Sequence, residues 1–141
     1  MRYPIAAYQP RQRDFYFAAD ASWLAAQDGS DLDLSWFSDL RIFDAAGFER
    51  EVTGARVVLK RQRLFGIRRE CDLALDLNGV ERPIPLAELV ALVDEASKTD
   101  SSLWDCRDDV DSAAEFRALV NSARSHEKVI RLLDGGAPTV S

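Results

Sequence analysis

The fold is decided by residues 41–96, whose clearest signal is the run CDLALDLNGV at residues 71–80. Leucines alternate with smaller or acidic residues in this run, which is the pattern of a strand with one buried face. The dipeptide at residues 78–79 is Asn-Gly, which favours the type I′ turn of a tight hairpin. The run therefore predicts a hairpin between strands at 71–77 and 80–85.

Further strand signals lie upstream of this run. Residues 41–44 and 48–52 flank the sequence Ala-Ala-Gly, which predicts a second hairpin. Residues 55–63 centre on Val-Val-Leu and predict another strand, because β-branched and aliphatic side chains suit a pleated surface. The aromatic run Phe-Tyr-Phe at 15–17 predicts one more strand near the N-terminus.

Helical spacing appears after residue 85. Apolar residues at 86, 89, 90 and 93 predict a helix over residues 86–96. Ser112 and Glu115 match a capping box, which predicts a helix from 113 that runs to 134 or breaks near 122–125. The intervening residues 98–111 are polar, acidic and without a period, which is typical of a loop.

The segment before residue 41 gives weaker signals. Asp20 is a suitable cap for a short helix over residues 21–27 that Gly29 would end. Residues 31–40 fit a strand and a helical turn equally well, because so short a run does not separate the two periods.

Together these elements predict an α+β fold: an antiparallel β-meander sheet of four to six strands with two or three helices packed on one face. A chain of 141 residues without a linker is expected to form a single α+β domain over residues 1–136. Residues 137–141 are expected to be a disordered tail.

The composition is that of a soluble globular chain, with 47% hydrophobic and 30% charged residues. The apolar runs are too short to span a bilayer, and the N-terminus has no secretory signal. We therefore expect a cytoplasmic protein with no membrane contact, in which Cys71 and Cys106 are free thiols.

The net charge is −6, and it is unevenly distributed. Residues 41–69 carry a local charge of +5, whereas residues 70–111 carry −9. An acidic total makes nucleic-acid binding unlikely, because phosphates repel it. The same charge attracts a cationic partner over long range.

Signatures of catalysis are weak. His126 is the single histidine, and its position on the final predicted helix suits a structural role better than that of a general base. No Gly-x-Ser-x-Gly turn, metal-ligand spacing or phosphate-binding loop occurs. Carboxylate pairs such as Asp72 and Asp76 are expected by chance among 24 acidic residues. The sequence thus predicts no catalytic residue, metal or cofactor.

One candidate site for a partner surrounds Trp104. It is flanked by Asp100, Asp105, Asp108 and Asp109 in the most acidic loop of the chain. A tryptophan with an anionic rim suits an interface anchor for a basic partner. In the alternative interpretation, Trp104 only packs its loop onto the core.

A second candidate surface is the basic stretch over residues 60–69. It contains Lys60, Arg61, Arg63, Phe65, Arg68 and Arg69. Positive charge with an aromatic residue is able to contact nucleic acid. In the alternative interpretation, this stretch is an exposed hairpin whose arginines pair with nearby acidic residues, which suits the negative total charge better.

These observations favour a small, acidic, non-catalytic intracellular protein that binds another protein, such as an inhibitor or immunity-type protein that neutralises a cationic enzyme or toxin. Two alternatives remain open. One is an enzyme with Asp, Glu and Arg in a sheet-floored pocket, and the other is a nucleic-acid accessory protein that uses residues 60–69. The oligomeric state is left open.

Overall fold

The computed structural model describes residues 1–29, 32–62, 69–105 and 107–136. Within these ranges the chain forms a curled antiparallel sheet, and three α-helices pack together after it in sequence. The predicted α+β class is therefore confirmed. The tail predicted at 137–141 lies outside the described residues.

In the described chain, all the strands precede the α-helices. The strands are β1 (Ile5–Gln9), β2 (Asp14–Ala18), β3 (Gln27–Asp28), β4 (Arg41–Asp44), β5 (Phe48–Gln62), β6 (Arg69–Leu77) and β7 (Arg82–Pro83). The α-helices are α1 (Leu86–Thr99), α2 (Ala113–Ser122) and α3 (His126–Leu132). Short 3-10 turns lie at Ala21–Leu24, Leu34–Phe37, Ser101–Leu103 and Leu133–Gly136.

The sheet has the strand order β2-β1-β4-β5-β6-β3, and β7 adds to β5. Strands β4, β5 and β6 follow one another as a meander, whereas β1 pairs with both β2 and β4 in the interior of the sheet. Strand β1 has no counterpart among the strands predicted from the sequence. Its residues Ile5, Ala6, Ala7 and Gln9 are all buried, so the strand lacks the polar alternation of a half-exposed one.

The hairpin predicted around residues 45–47 is confirmed. It joins β4 to β5, and Ile42 lies opposite Arg50. One oxygen of the Asp44 carboxylate accepts hydrogen bonds from the N–H groups of Ala46 and Phe48, each at 3.0 Å. Gly47 has a φ of +90°, a conformation that favours glycine. Local side-chain and backbone chemistry therefore determines this turn.

The hairpin predicted at Asn78-Gly79 is wrong. After β6 the chain continues along the same edge of β5, where β7 places Arg82 opposite Glu49. Gly79 is not among the residues with positive φ, so the type I′ conformation is absent from this described segment. The N–H of Asn78 instead donates to the Glu51 carbonyl at 2.9 Å. The dipeptide interrupts one long edge pairing rather than reversing the chain.

Strands predicted separately at 48–52 and 55–63 form the single strand β5. Its pairing with β6 shifts register between Val52 and Gly54 and again between Val57 and Leu59. Such irregularities bend a strand and increase its twist. This bending lets β5 pair with β4 at its start and with β6 along the rest of its length, which curls the sheet.

The helix predicted over residues 21–27 is also wrong. Asp20 does cap a turn, because its carboxylate accepts from the N–H of Ser22 at 2.8 Å, but that turn is 3-10 and ends at Leu24. The chain then extends into β3 on the far edge of β6. In the ambiguous segment after it, Asp33 caps the 3-10 turn at Leu34–Phe37.

The helices match their sequence signals closely. Helix α1 begins at Leu86 as predicted and extends three residues further. The final predicted helix is broken into α2 and α3, and Ser112 and Ser125 cap their first turns. The Glu115 carboxylate accepts from the N–H of Asp111 rather than from that of Ser112, so the capping box is incomplete. Phe116 is fully buried on the predicted stripe.

Hydrophobic cores form on both faces of the sheet. The first lies between the sheet and the helices, and its large members are Phe15, Phe43, Leu89, Val93, Phe116, Val120, Val129 and Ile130. The second lies inside the curl, where the loops between β2 and β4 cover Ile5, Ile42, Val52 and Leu73. The helices thus occupy one face, as predicted, and irregular segments close the other.

Candidate functional site

The acidic loop, defined here as residues 100–105 and 107–111, follows directly from the end of α1. Asp100 closes α1 and caps the next 3-10 turn, because its carboxylate accepts from the N–H of Ser102 at 3.0 Å and from its hydroxyl at 2.5 Å. This cap directs the chain into Trp104. The structure therefore brings Asp100 and Trp104 into one short, ordered turn.

Trp104 is partly buried and packs against the core between the sheet and the helices. Its indole Nε1 is buried and has no hydrogen-bond acceptor among the described residues. An unpaired buried N–H is unfavourable, so the ring is held by packing rather than by a polar contact. Trp104 thus packs against the core, while part of the residue remains at the surface.

Arg107 connects the acidic loop to the helices. Its side chain is only 8% exposed, and it donates two hydrogen bonds of 2.9 Å to the Asp109 carboxylate. It also donates to the Leu132 carbonyl, and its guanidinium lies 5.8 Å from the centre of the Phe116 ring. The hydrogen bonds from Arg107 lower the pKa of Asp109. Asp109 therefore serves the loop's own structure.

Asp105, Asp108, Asp109 and Asp111 are the exposed acidic residues of the loop. Asp109 is paired with Arg107, whereas Asp105, Asp108 and Asp111 do not lie within ion-pair distance of a cation in the described part of the chain. Of the four acidic residues predicted around Trp104, the structure thus assigns Asp100 and Asp109 to internal contacts. It leaves Asp105 and Asp108 exposed to solvent.

The charge of Asp100 affects two groups on β2. Burial, followed by the charge of Asp100, raises the pKa of Asp14. Burial, Asp14 and Asp100 also raise the pKa of Tyr16. Asp14 and Tyr16 lie on one face of β2, and their distance along the chain from Asp100 gave no signal of this effect.

The predicted basic surface is only partly within the described residues. Lys60, Arg61 and Arg69 lie on the β5–β6 ribbon and are exposed, whereas Arg63, Phe65 and Arg68 lie outside the described ranges. Arg61 pairs with Asp72 at 2.5 Å, and this partner is on the neighbouring strand. That contact agrees with the interpretation in which arginines of the ribbon pair with nearby acidic residues.

Charged residues converge at one further place, an open groove of about 420 Å³ beside the start of α1. Its lining residues are Arg41, Glu49, Glu51, Asn78, Val80 and Arg82. The groove is formed where β7 joins β5, so it depends on the unexpected path of residues 78–83. This groove is the arrangement most relevant to the alternative in which the protein is an enzyme with Asp, Glu and Arg in a sheet-floored pocket.

Glu49 at the floor of this groove is an ionised structural group. Its side chain is 6% exposed, and its two oxygens accept from Arg41 at 2.6 Å and Arg82 at 2.5 Å. Burial by itself would raise the pKa of Glu49, but the hydrogen bonds and charges of the two arginines outweigh it and lower the pKa. A carboxylate held ionised with both oxygens occupied is a poor general acid or base.

The histidine has a structural contact. His126 Nε2 donates to the Ile84 carbonyl at 2.7 Å, and its ring lies against Gly47. Elsewhere in the described ranges, no group of three His, Cys, Asp or Glu side chains is arranged to hold a metal ion.

None of the described helices has the length and apolar character needed to cross a bilayer.

Comparison with known proteins identifies no relative of this chain. No protein-family model, curated protein sequence or solved structure matches this chain.

Proposed function

We propose that the protein binds a cationic protein through its acidic loop and acts without catalysis of its own. One observation carries the proposal: Asp105 and Asp108 are exposed without a cationic partner among the described residues, on a loop that Trp104 and Arg107 hold in place. A rigid loop that presents uncompensated charge loses little conformational freedom on binding, which favours affinity.

The surroundings of the loop support the same partner chemistry. Burial and the charge of Asp100 raise the pKa of Asp14, and no described cation lies within ion-pair distance of either carboxylate. Like charges in proximity are unfavourable in the free protein, and a cationic partner relieves the repulsion. The charge of −9 over residues 70–111 extends the attraction beyond the contact itself.

Within this class, an inhibitor or immunity-type protein is the best fit, because an acidic surface complements the basic active-site cleft of a toxin or enzyme. The proposal places the protein in the cytoplasm, where a buried free thiol such as that of Cys71 is stable. The groove around Glu49 favours no competing catalytic proposal, since its arginines are committed to that carboxylate.

Affinity capture with two matched variants tests the proposal. The first variant, Asp105→Lys with Asp108→Lys, reverses two charges in the acidic loop. The second, Glu81→Lys with Glu127→Lys, makes the same change in net charge at exposed positions elsewhere. Captured proteins are identified by mass spectrometry at low and at physiological salt, and binding of each purified candidate is then measured with all three forms.

The proposal predicts that a basic protein is captured and that the wild type and the second variant bind it equally well. The first variant is expected to bind the same protein at least about tenfold more weakly. Equal loss in both variants would indicate nonspecific attraction by net charge. Equal binding by all three forms would place the interface elsewhere. Either of these results contradicts the proposed site.

A further inference from the structure

Strand β5 continues well beyond the end of its pairing with β4. The β4–β5 ladder ends where Arg41 lies opposite Glu51, and the N–H of Val52 donates one more bond, to the Leu40 carbonyl at 2.9 Å. Beyond this point β5 pairs only with β6, on its opposite edge. Alternate N–H and C=O groups of a strand point to opposite edges. On the β4 side of residues 53–61, here called the free edge, these groups have no backbone partner among the described residues.

The outer half of the free edge exposes apolar side chains. Ala55 and Val57 pack in the core inside the curl, but Val58 is 57% exposed and Leu59 is 47% exposed. An exposed edge with apolar residues is a template for a further strand, because new backbone hydrogen bonds and newly buried side chains both favour pairing. Strand β3 pairs with the other side of β6, so the edge belongs to a supported sheet rather than to an isolated hairpin.

The charged side chains of the free edge are all cationic. They are Arg56, Lys60 and Arg61, and the stretch contains no acidic residue. Successive side chains of a strand point to opposite faces, so Lys60 and Arg61 place positive charge on both faces of the sheet. Arg56 pairs with Asp76 and Arg61 with Asp72, but the two arginine side chains remain 63% and 45% exposed. Such exposed pairs are weak, so both arginines are available to another carboxylate.

We propose that the free edge of β5 binds an acidic, extended segment of another protein, which pairs with it as an added strand. The backbone of the segment satisfies the N–H and C=O groups of the edge, and its carboxylates lie beside Arg56, Lys60 and Arg61. The segment has the opposite charge to the partner of the acidic loop. The inference therefore goes beyond the proposed function and does not depend on it.

A second copy of the chain fits the free edge poorly. Two free edges related by a two-fold axis between Val58 and Leu59 would pair in antiparallel fashion. This pairing would place Arg56 of each copy directly opposite Arg61 of the other, and like charges in that position are destabilising. The same cations thus disfavour self-association and favour an acidic strand.

Peptide titration followed by NMR tests the inference. The probe is a capped peptide of alternating glutamate and valine, about six residues long. The control peptide has the same sequence with every backbone amide N-methylated, which keeps the charge and removes the donors. The probe is expected to shift the amide resonances of residues 53–61 in a saturable manner and to slow hydrogen exchange at alternate residues. The N-methylated peptide, and a peptide of alternating lysine and valine, are expected to leave residues 53–61 unchanged.

Two matched variants locate the site. Arg56→Glu with Lys60→Glu reverses two charges on the free edge and is expected to bind the probe about tenfold more weakly. Arg124→Glu with Lys128→Glu makes the same change in net charge at exposed positions in and beside α3, and is expected to bind the probe as the wild type does. The comparison of the two peptides needs no variant, so it tests the inference even if a variant folds poorly.

Several results would overturn the inference. Equal affinity for the N-methylated peptide would show attraction by charge without strand pairing, and equal weakening in both variants would place the site elsewhere. Shifts at residues 53–61 that depend on protein concentration without peptide would make a second copy the occupant. Tighter binding of an oligothymidylate than of the peptide at these residues would assign the edge to nucleic acid. None of these results bears on the acidic loop, whose own test uses a basic protein.

Discussion

The backbone of Gly47 contacts both the segment that precedes α1 and the side chain of the first residue of α3. A Cβ atom at this position would lie 3.0 Å from Cε1 of His126, at the start of α3. The Gly47 carbonyl accepts from the N–H of Ile84 at 2.9 Å, and the Ile84 carbonyl accepts from His126. Three parts of the fold therefore meet at Gly47: the β4–β5 hairpin, the segment that precedes α1, and helix α3. An added Cβ atom would be crowded there.

Two glycine substitutions test this contact. Gly47→Ala places a side chain at positive φ against the imidazole ring and is expected to destabilise the protein by about 1–3 kcal/mol. Gly79→Ala meets no atom within 4 Å and is expected to change the free energy of unfolding by less than about 0.5 kcal/mol. Chemical denaturation measures both. Equal effects would contradict the assigned turns.

Trp104 is expected to contribute to stability as well as to any interface. Trp104→Ala removes a ring that packs against the core and should reduce the free energy of unfolding by about 1–3 kcal/mol. Trp104→Phe keeps an aromatic ring and removes the unpaired N–H, so a smaller loss is expected. A change below about 0.5 kcal/mol for Trp104→Ala would show that the ring does not support the fold.

Among the elements, the long strand β5 organises the sheet. It pairs with β4 on one edge, and with β6 and then β7 on the other. Glu49 lies on β5 at the point where β4 pairs with one edge of the strand and β7 with the other. Its carboxylate binds one arginine from β4 and one from β7. This ion-pair cluster around the buried Glu49 carboxylate links the last short strand to the sheet, just before α1 begins.

The Glu49 cluster gives the protein a specific acid sensitivity. Because the pKa of Glu49 is lowered in the folded state, its contribution to stability is complete above the unfolded pKa of about 4.3. The contribution is lost as the pH falls through the lower, folded pKa. Glu49→Gln is expected to destabilise the protein by about 1.5–3 kcal/mol at pH 7 and to reduce the loss of stability on acidification.

Urea denaturation of the wild type and Glu49→Gln between pH 7 and pH 3 measures this difference. Glu95→Gln, at a glutamate whose side chain is 73% exposed, is the control and should stay within about 0.5 kcal/mol of the wild type at pH 7. Parallel pH profiles for the wild type and Glu49→Gln would contradict the role assigned to the cluster.

Prediction from the sequence succeeded where local chemistry determines an element. The hairpin after β4 and the Ser112 cap of α2 need only neighbouring residues, and both are present. It failed at Asn78-Gly79, because the pairing of β7 with β5 outweighs the preference of the dipeptide for a tight turn. The packing of α1 against β2 joins residues far apart in the chain, and no local pattern records that.

At the scale of the whole molecule, opposite charges lie on different elements. The described part of residues 41–69, the segment with a local charge of +5, forms β4, β5 and the start of β6. Some of its arginines are paired with acidic residues on β6, as Arg61 is with Asp72. The acidic loop has internal partners for Asp109 but none, within the described chain, for Asp105 and Asp108. The charges of Asp105 and Asp108 are therefore uncompensated on the loop that contains Trp104, and they are the basis of the proposed function.

The most direct test of the account is the association rate constant with the captured basic partner, measured by stopped flow at ionic strengths from about 0.01 to 0.15 M. Over this range the Debye length falls from about 30 to 8 Å. The account predicts that the rate constant falls at least about tenfold for the wild type and for Glu81→Lys with Glu127→Lys. It predicts a slow and nearly salt-independent rate for Asp105→Lys with Asp108→Lys. A rate constant that depends on salt equally in all three forms would contradict binding through the acidic loop.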